Sequence, residues 1–73
     1  MKAFNDLVVG DKVFIVIYEN GINNVCSTEI IDVRGVKAKK VQVKYRKFLY
    51  VEKNMGQMLF INVGDATEYA KNH

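Results

Sequence analysis

Proline is absent from this sequence, and no stretch rich in glycine or serine separates one part of the chain from another. No internal repeat, linker or low-complexity segment divides residues 1–73, which read as a single domain. A single cysteine, Cys26, excludes an internal disulfide, so the fold does not depend on an oxidising compartment. Histidine occurs once, at the terminal His73, where fraying argues against a positioned general base. No Cys/His cluster suits zinc and no EF-hand loop suits calcium. The five glycines, at 10, 21, 35, 56 and 64, are too dispersed to cradle a phosphate and sit where turns are expected. The carboxylates form no close pair with catalytic spacing. The expectation is therefore a chain that is not an enzyme, with no catalytic residue, no metal and no cofactor. The opening Met-Lys-Ala-Phe-Asn-Asp lacks the apolar run of a signal peptide, and no segment approaches the length of a membrane span. The expected location is cytoplasmic, without membrane association.

Apolar residues make up 49% of the chain, and eight aromatics supply bulk for a core. The size lies near the lower end of what folds without staples, since a domain of about 60 residues buries only about 60% of its unfolded surface. Charge is segregated. Residues 1–33 carry two basic and five acidic side chains, residues 34–53 eight basic and one acidic, and residues 54–73 one basic and two acidic. A basic block of net +7 thus lies between two mildly acidic segments.

Gly10-Asp11 is a turn dipeptide that releases into Val13–Tyr18, six β-branched or aromatic residues. That run predicts a strand, and because it is apolar on both faces both must be covered, by later parts of the chain or by a second chain. Asn20-Gly21 marks a hairpin turn of type I′, although Asn23-Asn24 can lengthen the loop. A second strand runs from about Val25 to Val33, with a bulge at Ile30-Ile31 that lets both isoleucines pack. In the third strand Val41, Val43 and Tyr45 alternate with Lys40, Gln42, Lys44 and Arg46. Arg46-Lys47 is expected to turn the chain into a short fourth strand, Phe48–Val51. Residues 52–56 read as a tight or 3₁₀ turn stopped by Gly56, and Met58–Val63 as a fifth strand. Upstream of all these, Phe4, Leu7, Val8 and Val9 anchor a lead-in. At the other end Asp65 is expected to cap a short helix over about 65–72, with Glu68 reaching back and Ala66, Tyr69 and Ala70 on its docking face. Five short strands with tight connections predict a mainly β fold, a small five-stranded SH3-like partly open barrel with a short C-terminal helix.

The stretch Leu7-Val8-Val9-Gly10-Asp11-Lys12-Val13-Phe14 resembles the opening of SH3-like, Tudor-like and KOW-type barrels. Met55-Gly56-Gln57-Met58-Leu59-Phe60 with Asp65-Ala66-Thr67-Glu68-Tyr69-Ala70 is similar to the ending of small proteins encoded by phages and mobile elements. The resemblance covers about half of the chain and implies a fold and a genomic habitat, host-cell cytoplasm included. It does not imply an activity, since one barrel hosts many functions.

Two functional classes stay open. In the first, the chain is a non-enzymatic binding module that acts by protein–protein interaction, with itself as a homodimer or with a host or defence factor. The covered face of the first strand supplies its candidate interface, Phe14, Val16, Tyr18 and Tyr50. In the second, the basic strand 37–47 grips nucleic acid or a phosphorylated nucleotide through Lys37, Lys39, Lys40, Lys44, Arg46 and Lys47, with Tyr50 or Tyr18 to stack a base. Set against the second is a lysine-decorated solvent face that keeps an edge strand from pairing with neighbours. The aromatics also offer raw material for a methyl-lysine cage with Glu19 as its acid, but a barrel of this size needs most of them for its core.

Overall fold

The β-branched run from Val13 forms the middle of β1 (Lys12–Glu19), and the Asn20-Gly21 turn folds the chain back into β2 (Ile22–Arg34). The antiparallel register runs from Lys12↔Glu29 to Glu19↔Ile22. Asn20 and Gly21 take φ of 55° and 76°, the two positive values that a type I′ turn requires. The short hairpin turn is therefore formed, and Asn23 and Asn24 lie in the ladder opposite Tyr18 and Ile17. The computed structural model describes residues 3–73; Met1 and Lys2 of the expected lead-in lie outside them.

Beyond β1, the 13-residue β2 continues into a second partnership with β3 (Lys40–Val43). A bulge between Ile30 and Asp32 makes the handover. It is pinned by Gly10 N donating to Ile30 O at 2.8 Å and Ile30 N donating to Asp11 O at 2.9 Å. The bulge falls where the phase slip predicted it, but only Ile30 enters the core, while Ile31 is 45% exposed.

The third strand is shorter than expected. It ends at Val43, Lys44-Tyr45 makes the turn, and β4 (Arg46–Tyr50) starts where the turn was expected. The cause lies on β2. Lys44 N donates to Glu29 O and Tyr45 N to the Thr28 hydroxyl, both at 2.9 Å, which holds these two residues against β2. The β3–β4 register is irregular at this end, passing from Val43↔Arg46 to Gln42↔Leu49 and Val41↔Tyr50. On the far side of β1, β5 comprises only Leu59–Phe60, paired with Ile15 and Phe14. It stops short of the expected Met58–Val63, and the helix begins at Val63.

The strand ladders among the described residues are all antiparallel, and the order is β4-β3-β2-β1-β5. The fold is mainly β, five strands in one sheet with one C-terminal helix. The sheet is not closed into a barrel, for no ladder among the described residues joins β4 to β5. It nevertheless encloses one core: Val13, Ile15, Ile30, Val41, Val43, Tyr50 and Leu59 gather there from all five strands, with Phe4 and Leu7 from the N-terminal segment. Each fully buried aliphatic side chain contributes about 1.5–3 kcal/mol. Of the four expected anchors, Val8 and Val9 stay exposed, because residues 8–11 form a turn closed by Asp11 N to Val8 O.

The helix α1 (Val63–Asn72) covers the opposite face of β1. Ala66 is fully buried against Val16 and Phe60, and Phe14, Val25, Tyr69 and Ala70 complete this second cluster. Its apolar face is the one expected, but its cap is not. Asn62 is the N-cap, its Oδ1 accepting from Gly64 N at 2.7 Å and Asp65 N at 3.3 Å. Asp65 sits within the first turn, where a carboxylate favours the positive end of the helix dipole. Asn62 wins because the chain leaves β5 three residues earlier than the sequence suggested, so the free N–H groups open onto it.

Candidate binding edge

With both faces of β1 covered from within the chain, the expected interface does not form one surface. Val16 and the half-buried Phe14 lie beneath α1, Tyr18 stands 71% exposed beyond the end of that helix contact, and Tyr50 is fully buried on the opposite face of the sheet. The cover that β1 needs comes from α1, which removes the reason for a second chain at this place.

The basic residues are likewise dispersed. Lys39 Nζ donates to the carbonyls of Asn5 at 2.8 Å and Leu7 at 2.6 Å, clamping the N-terminal 3₁₀ turn (Phe4–Asp6) to the start of β3. Arg34 is bound to Asp32 at 2.7 Å, and Lys44 approaches Glu29 at 3.8 Å. Lys40 points outward from β3, and Lys37 lies exposed in the loop before it. Arg46 lies on the other face, its guanidinium carbon 4.9 Å from the centre of the Phe48 ring. Lys40, Lys44 and Arg46 thus fail to form the single outward stripe that strict alternation predicts. The turn at Lys44-Tyr45 breaks the alternation between them.

What the topology does bring together is β4. Among the described residues it is an edge strand with β3 as its one partner, and it is five residues long. The other edge is shorter and already occupied: Leu59 of β5 bridges to Met55, and Gly56 N donates to Leu59 O at 3.0 Å. A row of main-chain donors and acceptors is therefore presented along β4. Its side chains split by face. Arg46, Phe48 and Tyr50 line up on the core side, with the two aromatic rings 4.7 Å apart and tilted by 56°. Lys47 and Leu49 take the solvent side, Leu49 opposite Gln42. Phe48 and Leu49 remain 36% and 38% exposed, and Tyr45 at the adjoining turn 57%. Each face of the strand thus offers one cation beside one apolar side chain.

The inner end of this row is fixed. Tyr50 has no exposed surface, and its phenol oxygen finds no hydrogen-bond partner among the described residues. Burial raises its pKa above the ordinary tyrosine value, Arg46 working against that rise. The phenol of Tyr45 is also raised, chiefly by the neighbouring Cys26 thiol. Cys26 is half-buried on β2, two residues from the Thr28 hydroxyl that holds the β3–β4 turn. Among the described residues no group of three or more His, Cys, Asp or Glu is placed to hold a metal, and no helix is long and apolar enough to cross a membrane.

Tyr45, Phe48 and Leu49 are the residues of this edge that the sequence does not single out as candidate contacts. Phe48-Leu49-Tyr50 reads as core in a linear pattern, and only the sheet order makes it an edge. The signal available was Arg46-Lys47 directly before an apolar triplet, since charged side chains are frequent on strands at a sheet edge. Set beside protein-family models, curated proteins and solved structures, the chain matches none.

Proposed function

We propose that this chain is a non-enzymatic binding module that acts by protein–protein interaction, holding a segment of a partner protein along β4. One observation carries the reading. In a sheet whose other edge is short and bridged, β4 combines an unpartnered main chain with exposed Tyr45, Phe48 and Leu49. Strand addition to such an edge draws affinity from main-chain hydrogen bonds and specificity from alternate side chains. The rigid anchor of Tyr50 favours it too, since an edge pinned to the core loses little freedom on binding. A phage or mobile-element origin, and action in the host cytoplasm, belong to the same proposal.

The nucleic-acid alternative is the weaker one. Phosphate tracking needs cations spaced along one face, whereas Lys39 is spent on carbonyls, Lys44 faces Glu29, and Lys40 and Arg46 lie on opposite faces. The test is photo-crosslinking from a benzoylphenylalanine introduced at position 49, with position 18 as the control, in lysate of the source cells. The proposal expects a defined protein adduct from position 49 alone. Adducts to nucleic acid, or equal adducts from both positions, would count against it, and adducts only between copies of the chain would make the module a homo-oligomer.

A further inference from the structure

We infer that the segment held on β4 is an extended acidic strand in which a pair of carboxylates adjoins a pair of apolar residues. This rests on the reading of β4 as the binding edge and adds the chemistry of its occupant. Charge complementarity carries it. Of the basic side chains in the block, Arg34 and Lys44 have carboxylates beside them and Lys39 has two carbonyls. Lys37, Lys40, Arg46, Lys47 and Lys53 have no carboxylate within ion-pair distance among the described residues, and of these Arg46 and Lys47 stand on the free edge. The same two cations discriminate between occupants. A second copy of β4 paired on this edge would bring another Arg46-Lys47 pair into one short ladder, each copy with a block of net +7 behind it. An acidic strand meets attraction where the copy meets repulsion.

The arrangement by face specifies the order of residues. Arg46 stacks on Phe48, whose ring meets Tyr50, while Leu49 lies opposite Gln42; strand alternation sets Lys47 on the side of Leu49. A strand laid alongside therefore needs one acid and one apolar side chain per face. Because faces alternate residue by residue, this translates into two adjacent acids next to two adjacent apolar residues, not strict alternation. An antiparallel strand reads apolar-apolar-acid-acid from its N-terminus and a parallel one the reverse.

The experiment measures anisotropy of fluorescein-labelled, capped octapeptides against the intact chain. One peptide carries the core Val-Leu-Glu-Glu, one the reversed core Glu-Glu-Leu-Val, one Val-Leu-Lys-Lys, and one alternates Glu with Val. At least one of the first two should bind, with the lysine peptide at least tenfold weaker and the alternating peptide weaker than the better block peptide. Reversing both charges, Arg46→Glu with Lys47→Glu, should weaken the acidic peptide by about tenfold, as two exposed ion pairs imply, and make the lysine peptide the better ligand. Should that variant fail to fold by circular dichroism, the peptide series on the unmodified chain decides alone. Equal binding of acidic and lysine peptides that still crosslink to position 49 would overturn the acidic occupant and leave the edge reading intact. Binding of none of the peptides, with no protein adduct from position 49, would overturn both. A fluorescent oligonucleotide that binds more tightly than every peptide would replace the acidic strand with a polyanion.

Discussion

Tyr50 places a phenol oxygen in the core with no hydrogen-bond partner among the described residues, at the point where β4 is anchored. Tyr50→Phe deletes that oxygen and keeps the ring, including its 4.7 Å contact with Phe48. A buried polar group left unsatisfied costs about 1–3 kcal/mol. The low end applies here, because the Arg46 charge already favours the oxygen end of the phenol. The variant should therefore gain about 1 kcal/mol, which for a domain of this size raises Tm by about 4–8 °C. The pH dependence follows from the raised pKa. An unfolded tyrosine ionises near 10, and the folded one ionises higher because burial disfavours the phenolate. Its contribution is fully present below about pH 10 and is lost as pH rises through the folded value. The advantage of Tyr50→Phe should thus widen above about pH 10. Thermal denaturation followed by circular dichroism at neutral and alkaline pH measures both effects. A variant that loses 1 kcal/mol or more at neutral pH would refute the reasoning, for it would mean that the hydroxyl has a partner.

Other substitutions test the elements around the edge. Asn62→Ala should cost about 1 kcal/mol as the loss of an N-cap, and Asp65→Ala only about 0.5 kcal/mol as the loss of a dipole contact; chemical denaturation ranks the two. Lys39→Met should cost about 2 kcal/mol, because it removes charge-assisted hydrogen bonds to two carbonyls, whereas Lys37→Met should change stability by about 0.5 kcal/mol or less. A fluorescent single-stranded DNA or RNA titrated at low salt should give flat anisotropy; three phosphate contacts would instead give binding with a log–log salt slope of about −2.

Much of the fold was legible because local rules and tertiary structure agree. Asn20-Gly21 demanded positive φ at two consecutive positions, and the phase slip at Ile30-Ile31 demanded a bulge. Ala66, Tyr69 and Ala70 share a helical face whatever the start of the helix. Misreadings arose where a distant group decided a local outcome. The Thr28 hydroxyl, 17 residues away, captures Tyr45 and moves the turn. The two-residue length of β5 brings the helix forward and gives the cap to Asn62. The exposed edge at β4 was the least legible part. Its residues were visible as a basic and aromatic segment, but which strand lies at the margin of a sheet depends on the pairing of all the others. Lys39, taken for an anion contact by its place in the basic block, is a clamp on the N-terminal segment for the same reason.

Amide hydrogen exchange of the chain, alone and saturated with the best-binding acidic peptide, tests the edge most directly. Strand addition predicts slowed exchange at amides within residues 46–50, with β1 and α1 unchanged. Exchange along β4 that stays the same while the peptide is bound, or protection confined to the Tyr18–Ile22 hairpin or to residues 37–40, would contradict it.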